Sequence, residues 1–243
     1  MIIDGKKIAE EVIVGLGESL RGRKLGLVIG SADAATESFI KIKSRVAQRL
    51  GVEILKGELQ ELANTCDGII VQLPITNAER LLAEIPPDKD VDALSPRPLV
   101  RAPVAEAISE IFTRAGVAAA HKLSVVIGAG KLVGAPAAQL LRDLGAEVHM
   151  VTQTRGSLEE LKDADIVVCG AGEPGLIKPE MLKEGVVLID AGTSEQGGRL
   201  MGDADPQCAK IASVFTPVPG GVGPIAVAMI FKNLLTLVKK SQK

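Results

Sequence analysis

The 243-residue sequence has no tyrosine and no tryptophan, and only four phenylalanines, three cysteines and two histidines. Without tyrosine, no phenol is available as an acid or base. His121 and His149 stand far apart without ligand spacing, which argues against a zinc site and predicts no metal. Cys66, Cys169 and Cys208 are scattered, odd in number and form no C-x-x-C pair, so they read as reduced thiols in or near the core. A net charge of -2 with 47% hydrophobic residues points to a soluble globular protein and not to a binder of nucleic acid or another polyanion. No basic leader precedes an apolar segment, and no apolar run reads as long enough to span a bilayer, so the expectation is a cytoplasmic protein with no membrane partner. What is present is 47% hydrophobic residues, enough for one large or two small domains with a substantial core.

Residues 123–155 carry the strongest local pattern. A β-branched strand at 123–127 is followed by Gly128-Ala129-Gly130-Lys131-Leu132-Val133-Gly134, a helical run to Gly145 and a second strand at 146–152. Such a βαβ unit lets the backbone approach a pyrophosphate whose charge sits on the helix N-terminus. The third glycine comes one residue later than in the usual G-x-G-x-x-G spacing, and a strand-to-helix turn without a ligand would look similar. The second strand ends in Thr152-Gln153-Thr154-Arg155, with no acid for ribose hydroxyls. Arg155 suits a ribose phosphate and favours NADP over NAD, although an arginine would also serve as a solvated loop charge.

Around this unit, apolar residues recur at helical spacing over 7–20 and 38–50, the second run stopping at Gly51. Strands are predicted at 25–29, 52–55, 68–74, 166–172 and 186–192, short helices at 59–63 and 158–161, and longer ones at 104–113 and 225–238. The alternation predicts parallel α/β sheets. Gly170-Ala171-Gly172 and Asp190-Ala191-Gly192, followed by Thr193, end two strands in small residues, as strands do where a nucleotide crosses them. Gln72 is polar at the end of an apolar strand, just before Leu73-Pro74, on the edge where α/β sheets bind ligands; an amide serving a nearby loop would also fit there. Lys41 and Lys43 lie two apart on a helix, so at most one enters a cleft. The charged turn 86–92 should face solvent, except that Val91 beside Asp92 points to partial cover. Three glycines and three prolines in 216–224 make a stiff, tight segment suited to a ligand or to an interdomain hinge.

The segments Ile3-Asp-Gly-Lys6, Phe39-Ile-Lys-Ile-Lys43, Asp67-Gly-Ile-Ile-Val-Gln-Leu-Pro74, Pro87-Asp-Lys-Asp-Val-Asp92, Val126-Ile-Gly128 with Val133-Gly134 and Pro136, Asp190-Ala-Gly192, Gly202-Asp203 and 216–224 follow one another over nearly the whole chain. In this order they resemble the bifunctional methylenetetrahydrofolate dehydrogenase/cyclohydrolase family. The resemblance implies two α/β lobes with the active cleft between them. Residues 1–113 with the C-terminal helix 222–243 would bind tetrahydrofolate derivatives, and 114–215 would form a Rossmann-type NAD(P)-binding domain. It implies Lys43 as the lysine of a Tyr-x-x-x-Lys motif, Gln72 as its partner and Asp92 as the residue that holds the pterin. Phe39, Leu73, Pro74, Pro219, Gly220 and Gly221 would lie along the substrate. Gly128, Ala129, Gly130, Val133, Gly134, Thr152, Thr154, Arg155, Gly170, Ala171, Gly192 and Thr193 would surround the cofactor. The implied chemistry is NADP-dependent oxidation of methylenetetrahydrofolate, then hydrolysis of the methenyl product to 10-formyltetrahydrofolate, in a homodimer joined through the nucleotide lobe.

The sequence departs from that family at several of these positions. Phe39 replaces the motif tyrosine, Ala129-Gly130 replaces an Arg-Ser pair, Thr152-Gln153 replaces His-Ser, and the loop after Asp92 is shorter. Two other readings fit the residues: a two-lobed dehydrogenase of small hydroxy acids or ketones with Lys43 as its acid/base, and a cofactor-binding protein without activity.

Overall fold

The structure, a computed structural model, describes residues 1–30, 34–196 and 199–242. The chain forms two compact units, a larger one of Met1–Ile8 with Val104–Ile225 and a smaller one of Ala9–Pro103 with Ala226–Lys243. The first eight residues thus pack with the larger unit, where the sequence groups them with the first lobe.

In chain order the first elements are α1 (Gly5–Leu16), β1 (Lys24–Ile29), α2 (Ala34–Leu50), β2 (Glu53–Lys56), α3 (Leu59–Thr65), β3 (Gly68–Gln72) and α4 (Ala78–Glu84). The three strands form a parallel sheet in the order β2-β1-β3. Ile29 pairs with Gln72, which puts Gln72 on the carboxyl edge of that sheet. Helix α1 stops at Leu16, short of the predicted Leu20, because Gly17 takes a left-handed φ of 53° that ends the helical path. Leu20 is nevertheless fully buried in the turns that follow.

The last helix, α7 (Val222–Ser241), completes the smaller unit from Ala226 onward. Phe231, Leu234 and Leu237 pack with Leu20, Leu25, Leu27, Ile40, Leu50, Ile70 and Val91 in one apolar core. Each such side chain contributes roughly 1.5–3 kcal/mol by leaving water. By length and composition this helix could cross a membrane, which corrects the expectation that no run is long enough. Its apolar residues are instead those of a core helix, mostly buried inside the unit.

The larger unit contains α5 (Pro103–Ala115), β4 (Leu123–Ile127), α6 (Gly134–Asp143), β5 (Glu147–Val151), β6 (Ile166–Cys169), β7 (Val187–Asp190), β8 (Ser194–Gln196), β9 (Arg199–Met201) and β10 (Val214–Phe215). Five parallel strands run in the order β10-β7-β6-β4-β5, and β8 pairs with β9 as an antiparallel ribbon. The chain leaves β4 for β5 on one side and then crosses to β6 on the other. The strand order therefore reverses between β4 and β6, the place where doubly wound sheets open a crevice for a dinucleotide. Strands β4, β6 and β7 are buried almost throughout, as parallel strands covered on both faces are. Phe215 in β10 also receives the chain start, since the Ile3 N–H donates to its carbonyl at 2.9 Å.

Candidate functional site

In the smaller unit, Ile40, Lys43, Ala47 and Leu50 form one buried stripe of α2 at helical spacing. Lys41 is exposed, as the two-residue offset requires, and so is Ile42, at 41%. A buried lysine beside an exposed isoleucine reverses the polarity that solvent would select, so something other than packing holds Lys43 in place. Its Nζ, on a residue only 9% exposed, donates to Gln72 Oε1 at 2.9 Å, and Gln72 Nε2 donates to the Leu73 carbonyl at 3.2 Å. The sheet edge thus fixes the amide and the amide fixes the amine. The peptide bond between Leu73 and Pro74 is cis. Leu73 is half-buried and Pro74 exposed beside this pair in sequence. Phe39 belongs to α2, and its side chain lies outside the described residues.

The segment through Asp92 runs beside β3: Ile69 bridges to Asp90, and the Ile69 N–H donates to the Lys89 carbonyl at 2.7 Å. Asp92 is buried, at 9% exposure, more deeply than the partial cover expected from its sequence. Burial raises its carboxyl above the ordinary carboxylate range, the positive charge of Lys43 pulls it back down, and Asp90 pushes it up again. Sequence reasoning missed two buried groups behind it. Asp90 accepts the Ser95 N–H at 2.6 Å, and Asn233 in α7 donates to the carbonyls of Val91 and Arg101 at 2.9 and 2.8 Å. An Asn in a run of Ile, Phe and Leu was the available signal, since a buried amide must be matched by backbone.

In the larger unit, the turn after β4 meets the loop after β6. Gly128 has a φ of 93°, and a side chain there would come within 2.6 Å of the Gly170 carbonyl. A side chain at Gly134, the first residue of α6, would collide with the Gly128 carbonyl, and one at Gly170 would collide with Val133. These close approaches explain the glycine pattern by backbone packing, and Ala129 and Gly130 remain exposed on the open side. Thr152 and Arg155 close a tight turn after β5, the Thr152 N–H donating to the Arg155 carbonyl at 2.7 Å. Thr154 and Arg155 are exposed there. Nearby, His149 Nδ1 and Glu160 Oε2 lie 2.7 Å apart, and that contact, with a further one to Glu147, raises the imidazole above its usual range.

Ala171 and Thr193 are exposed, Gly170 half-buried and Gly192 buried at the ends of β6 and β7. Two carboxylates that the sequence left without a role lie beneath them. Asp190 Oδ1 accepts from Gly192 and Asp203 N–H at 3.0 and 3.2 Å, and its Oδ2 accepts from Ala204 N–H at 2.9 Å. Burial pushes its carboxyl up to about 6 despite these bonds, with the Asp203 charge adding to the rise. Asp203 accepts N–H groups of Ala171, Gly172 and Glu173 at 2.6, 3.2 and 2.8 Å. With Cys169 these two have ligand atoms close enough to surround a cation. The donor set speaks against one, because each carboxylate is engaged by three backbone N–H groups and burial keeps the thiol well above its usual range.

The loop that follows β10 belongs to the same unit. Thr216 Oγ1 accepts the Asp190 N–H at 2.7 Å, and the Gly5 N–H donates to the Gly220 carbonyl at 2.8 Å. The Val218–Pro219 bond is cis; Pro219 is exposed and Gly221 buried.

Residues 102–242 match the family model described as tetrahydrofolate dehydrogenase/cyclohydrolase, NAD(P)-binding domain. The chain is 34% identical to the bifunctional protein FolD of Staphylococcus aureus, covering 98% of this chain and 96% of that protein. The alignment runs over 275 positions although this chain has 243 residues, so the relative carries segments that are missing here. Among solved structures, the Trypanosoma brucei methylenetetrahydrofolate dehydrogenase-cyclohydrolase, complexed with NADP cofactor and inhibitor, is 30% identical with a TM-score of 0.90 over 100% of this chain and 98% of that one. The Campylobacter jejuni bifunctional enzyme is 25% identical with a TM-score of 0.91 over 99% of both. The chain belongs to the tetrahydrofolate dehydrogenase/cyclohydrolase family.

Proposed function

We propose that this protein oxidises methylenetetrahydrofolate to methenyltetrahydrofolate with NADP and hydrolyses the methenyl product to 10-formyltetrahydrofolate, for one-carbon metabolism. The observation that carries this reading is the buried Lys43–Gln72 pair with Asp92 close enough to feel the lysine charge. A hydroxy-acid dehydrogenase is not favoured, because the relatives that match over nearly the whole chain are named for methylenetetrahydrofolate chemistry, and a pterin presents an amino-pyrimidine edge that the Asp92 carboxylate can pair with.

Each group has a task it can perform. Asp92, ionised, accepts from the amino-pyrimidine edge and sets the pterin in place. Gln72 holds the Lys43 amine in one direction without adding charge. Lys43 is the base placed to take the proton from water as the methenyl carbon is hydrated. Phe39 supplies no hydroxyl to that step, so the proton transfer falls to Lys43 alone.

The strand reversal between β4 and β6 and the glycine packing at Gly128, Gly134 and Gly170 fit a dinucleotide. When bound, NADP supplies the hydride acceptor. Gly128, Ala129, Gly130, Val133 and Gly134 would face its pyrophosphate, and Thr152, Thr154 and Arg155 its ribose phosphate. Gly170, Ala171, Gly192 and Thr193 would border the remaining half. Pro219, Gly220 and Gly221 in the larger unit, and Leu73 and Pro74 in the smaller one, are each assigned to substrate binding within their own unit. Three buried free thiols suit a reducing cytoplasm. The half-exposed edge strand β5 and exposed Leu144 suit homodimerisation through the larger unit.

The test is to mix the protein with methylenetetrahydrofolate and either NADP or NAD and follow the absorbance of the methenyl product. A rise with NADP, then a fall faster than the uncatalysed rate, is expected. No rise with either dinucleotide overturns the proposal.

A further inference from the structure

Six backbone N–H groups converge on two buried carboxylates under the carboxyl edge of the five-stranded sheet, and the proposed chemistry uses neither carboxylate. Asp203 is fully buried and accepts from three consecutive residues, Ala171, Gly172 and Glu173, which form the loop leaving β6. That loop is one wall of the place where the strand order reverses, the other wall being the glycine turn after β4. The two walls touch, because Gly170 lies against both Gly128 and Val133. Asp190, at the end of β7, accepts the backbone N–H of Asp203 itself and of Ala204, so one carboxylate fixes the backbone that carries the other. Gly192 completes the packing, since any side chain there would collide with the Asp203 carboxylate.

Three consecutive amides aimed at one buried carboxylate define the loop path more tightly than turn geometry alone, because each left unpaired would bear the full cost of desolvation. We propose that Asp203 is a positioning residue for the dinucleotide: its carboxylate clamps the loop 171–173 against the glycine turn, with Asp190 holding the clamp from behind. This rests on the reading of the β4–β6 crevice as the dinucleotide site. Asp203 does not touch the ligand in this role. It sets the width of the crevice, and its effect should fall on dinucleotide binding and leave tetrahydrofolate binding alone.

The test uses the full-length protein and compares wild type with Asp203→Asn. An asparagine turns one acceptor oxygen into an NH2 group facing an N–H donor, so at least one clamp bond is lost. NADP and tetrahydrofolate binding are each measured by calorimetric titration. Ile111→Ala, which opens a cavity in α5 of the same unit, serves as a control for general loss of stability. Asp203→Asn should weaken NADP roughly tenfold with tetrahydrofolate affinity unchanged, while Ile111→Ala lowers the melting temperature without weakening NADP. If wild type binds NADP and Asp203→Asn binds it equally well, the positioning role is overturned and the dinucleotide site stands. If wild type binds neither NADP nor NAD, the site reading fails and takes this inference with it. If the variant does not fold, amide hydrogen exchange in wild type decides: slow exchange at Ala171, Gly172 and Glu173, slower still with NADP, supports the clamp, and fast exchange at all three overturns it.

Discussion

Lys43 Nζ and Gln72 Oε1 meet at 2.9 Å across 29 residues of sequence, the amine from a helix and the amide from the end of a strand in the same unit. The contact ties the amine to the carboxyl edge of the sheet. Replacing Lys43 with Met keeps an unbranched apolar stem, one atom shorter, while removing the proton acceptor. Methenyl hydrolysis should fall by roughly 10²–10⁴-fold, the usual worth of a positioned base. Dehydrogenase turnover should persist, because hydride transfer depends on holding two rings together and needs no base. Separate assays of methenyl formation and methenyl decay check this, and equal loss of both would show that Lys43 acts mainly in binding.

The position of Lys43 was open to sequence reading in a way that several others were not. Ile40, Ala47 and Leu50 mark the buried stripe of α2, and Lys43 falls on it while Lys41 does not. Gln72 was legible for the same reason, a polar residue ending an apolar strand. The parallel alternation and the glycine turn were equally plain, since both rest on local periodicity. Helix α4, the β8–β9 ribbon and the two-residue β10 were not, because each is too short for a period to emerge. Asp190 and Asp203 were visible as motif residues, but their shared task depends on backbone amides brought together from 171–173, 192, 203 and 204. Such convergence is a property of the tertiary path.

Asp92 makes both folding stability and substrate binding depend on pH, in opposite senses. Its carboxyl is raised by burial and by Asp90, and lowered by Lys43, with a net rise. A raised carboxyl binds a proton more tightly in the folded protein than in the unfolded chain. Its contribution to stability is therefore present below the unfolded value, about 3.9, and is lost as pH rises through the folded value. Tetrahydrofolate binding has the opposite sense, because pairing with the amino-pyrimidine edge requires the ionised form. Affinity should weaken as pH falls through the raised value, and Asp92→Asn should abolish that dependence while weakening substrate where the wild-type carboxylate is ionised. Binding titrations across the acid range check both, and a flat wild-type profile would contradict the assignment.

Arg155 is exposed on the tight turn after β5, and no acid occupies positions 152–154. A guanidinium there recognises a phosphate but gives little to a ribose hydroxyl. Arg155→Ala should raise the KM for NADP roughly tenfold and leave the KM for NAD within about twofold. Initial rates with the two dinucleotides measure the ratio. Equal effects on both would place Arg155 in the solvent, with preference set elsewhere.

Asn233 ties the C-terminal helix to the segment that carries Asp92. Its amide nitrogen donates to the carbonyls of Val91 and Arg101, and the residue is buried, as Ile230, Phe231 and Leu234 of the same helix are. Leucine is close in volume and would pack in that surrounding, but it leaves two carbonyls without their donor. Asn233→Leu should lower stability by about 1–3 kcal/mol, the cost of buried acceptors left unmatched. The freed Val91 carbonyl is one residue from Asp92, so the carboxylate should lose its fixed direction as well. The expected kinetic result is a higher KM for methylenetetrahydrofolate with the KM for NADP unchanged, because the nucleotide residues belong to the other unit. Denaturant unfolding and substrate titrations on the same variant separate these effects. A stability loss with both KM values unchanged would mean that Asn233 supports the core without orienting Asp92.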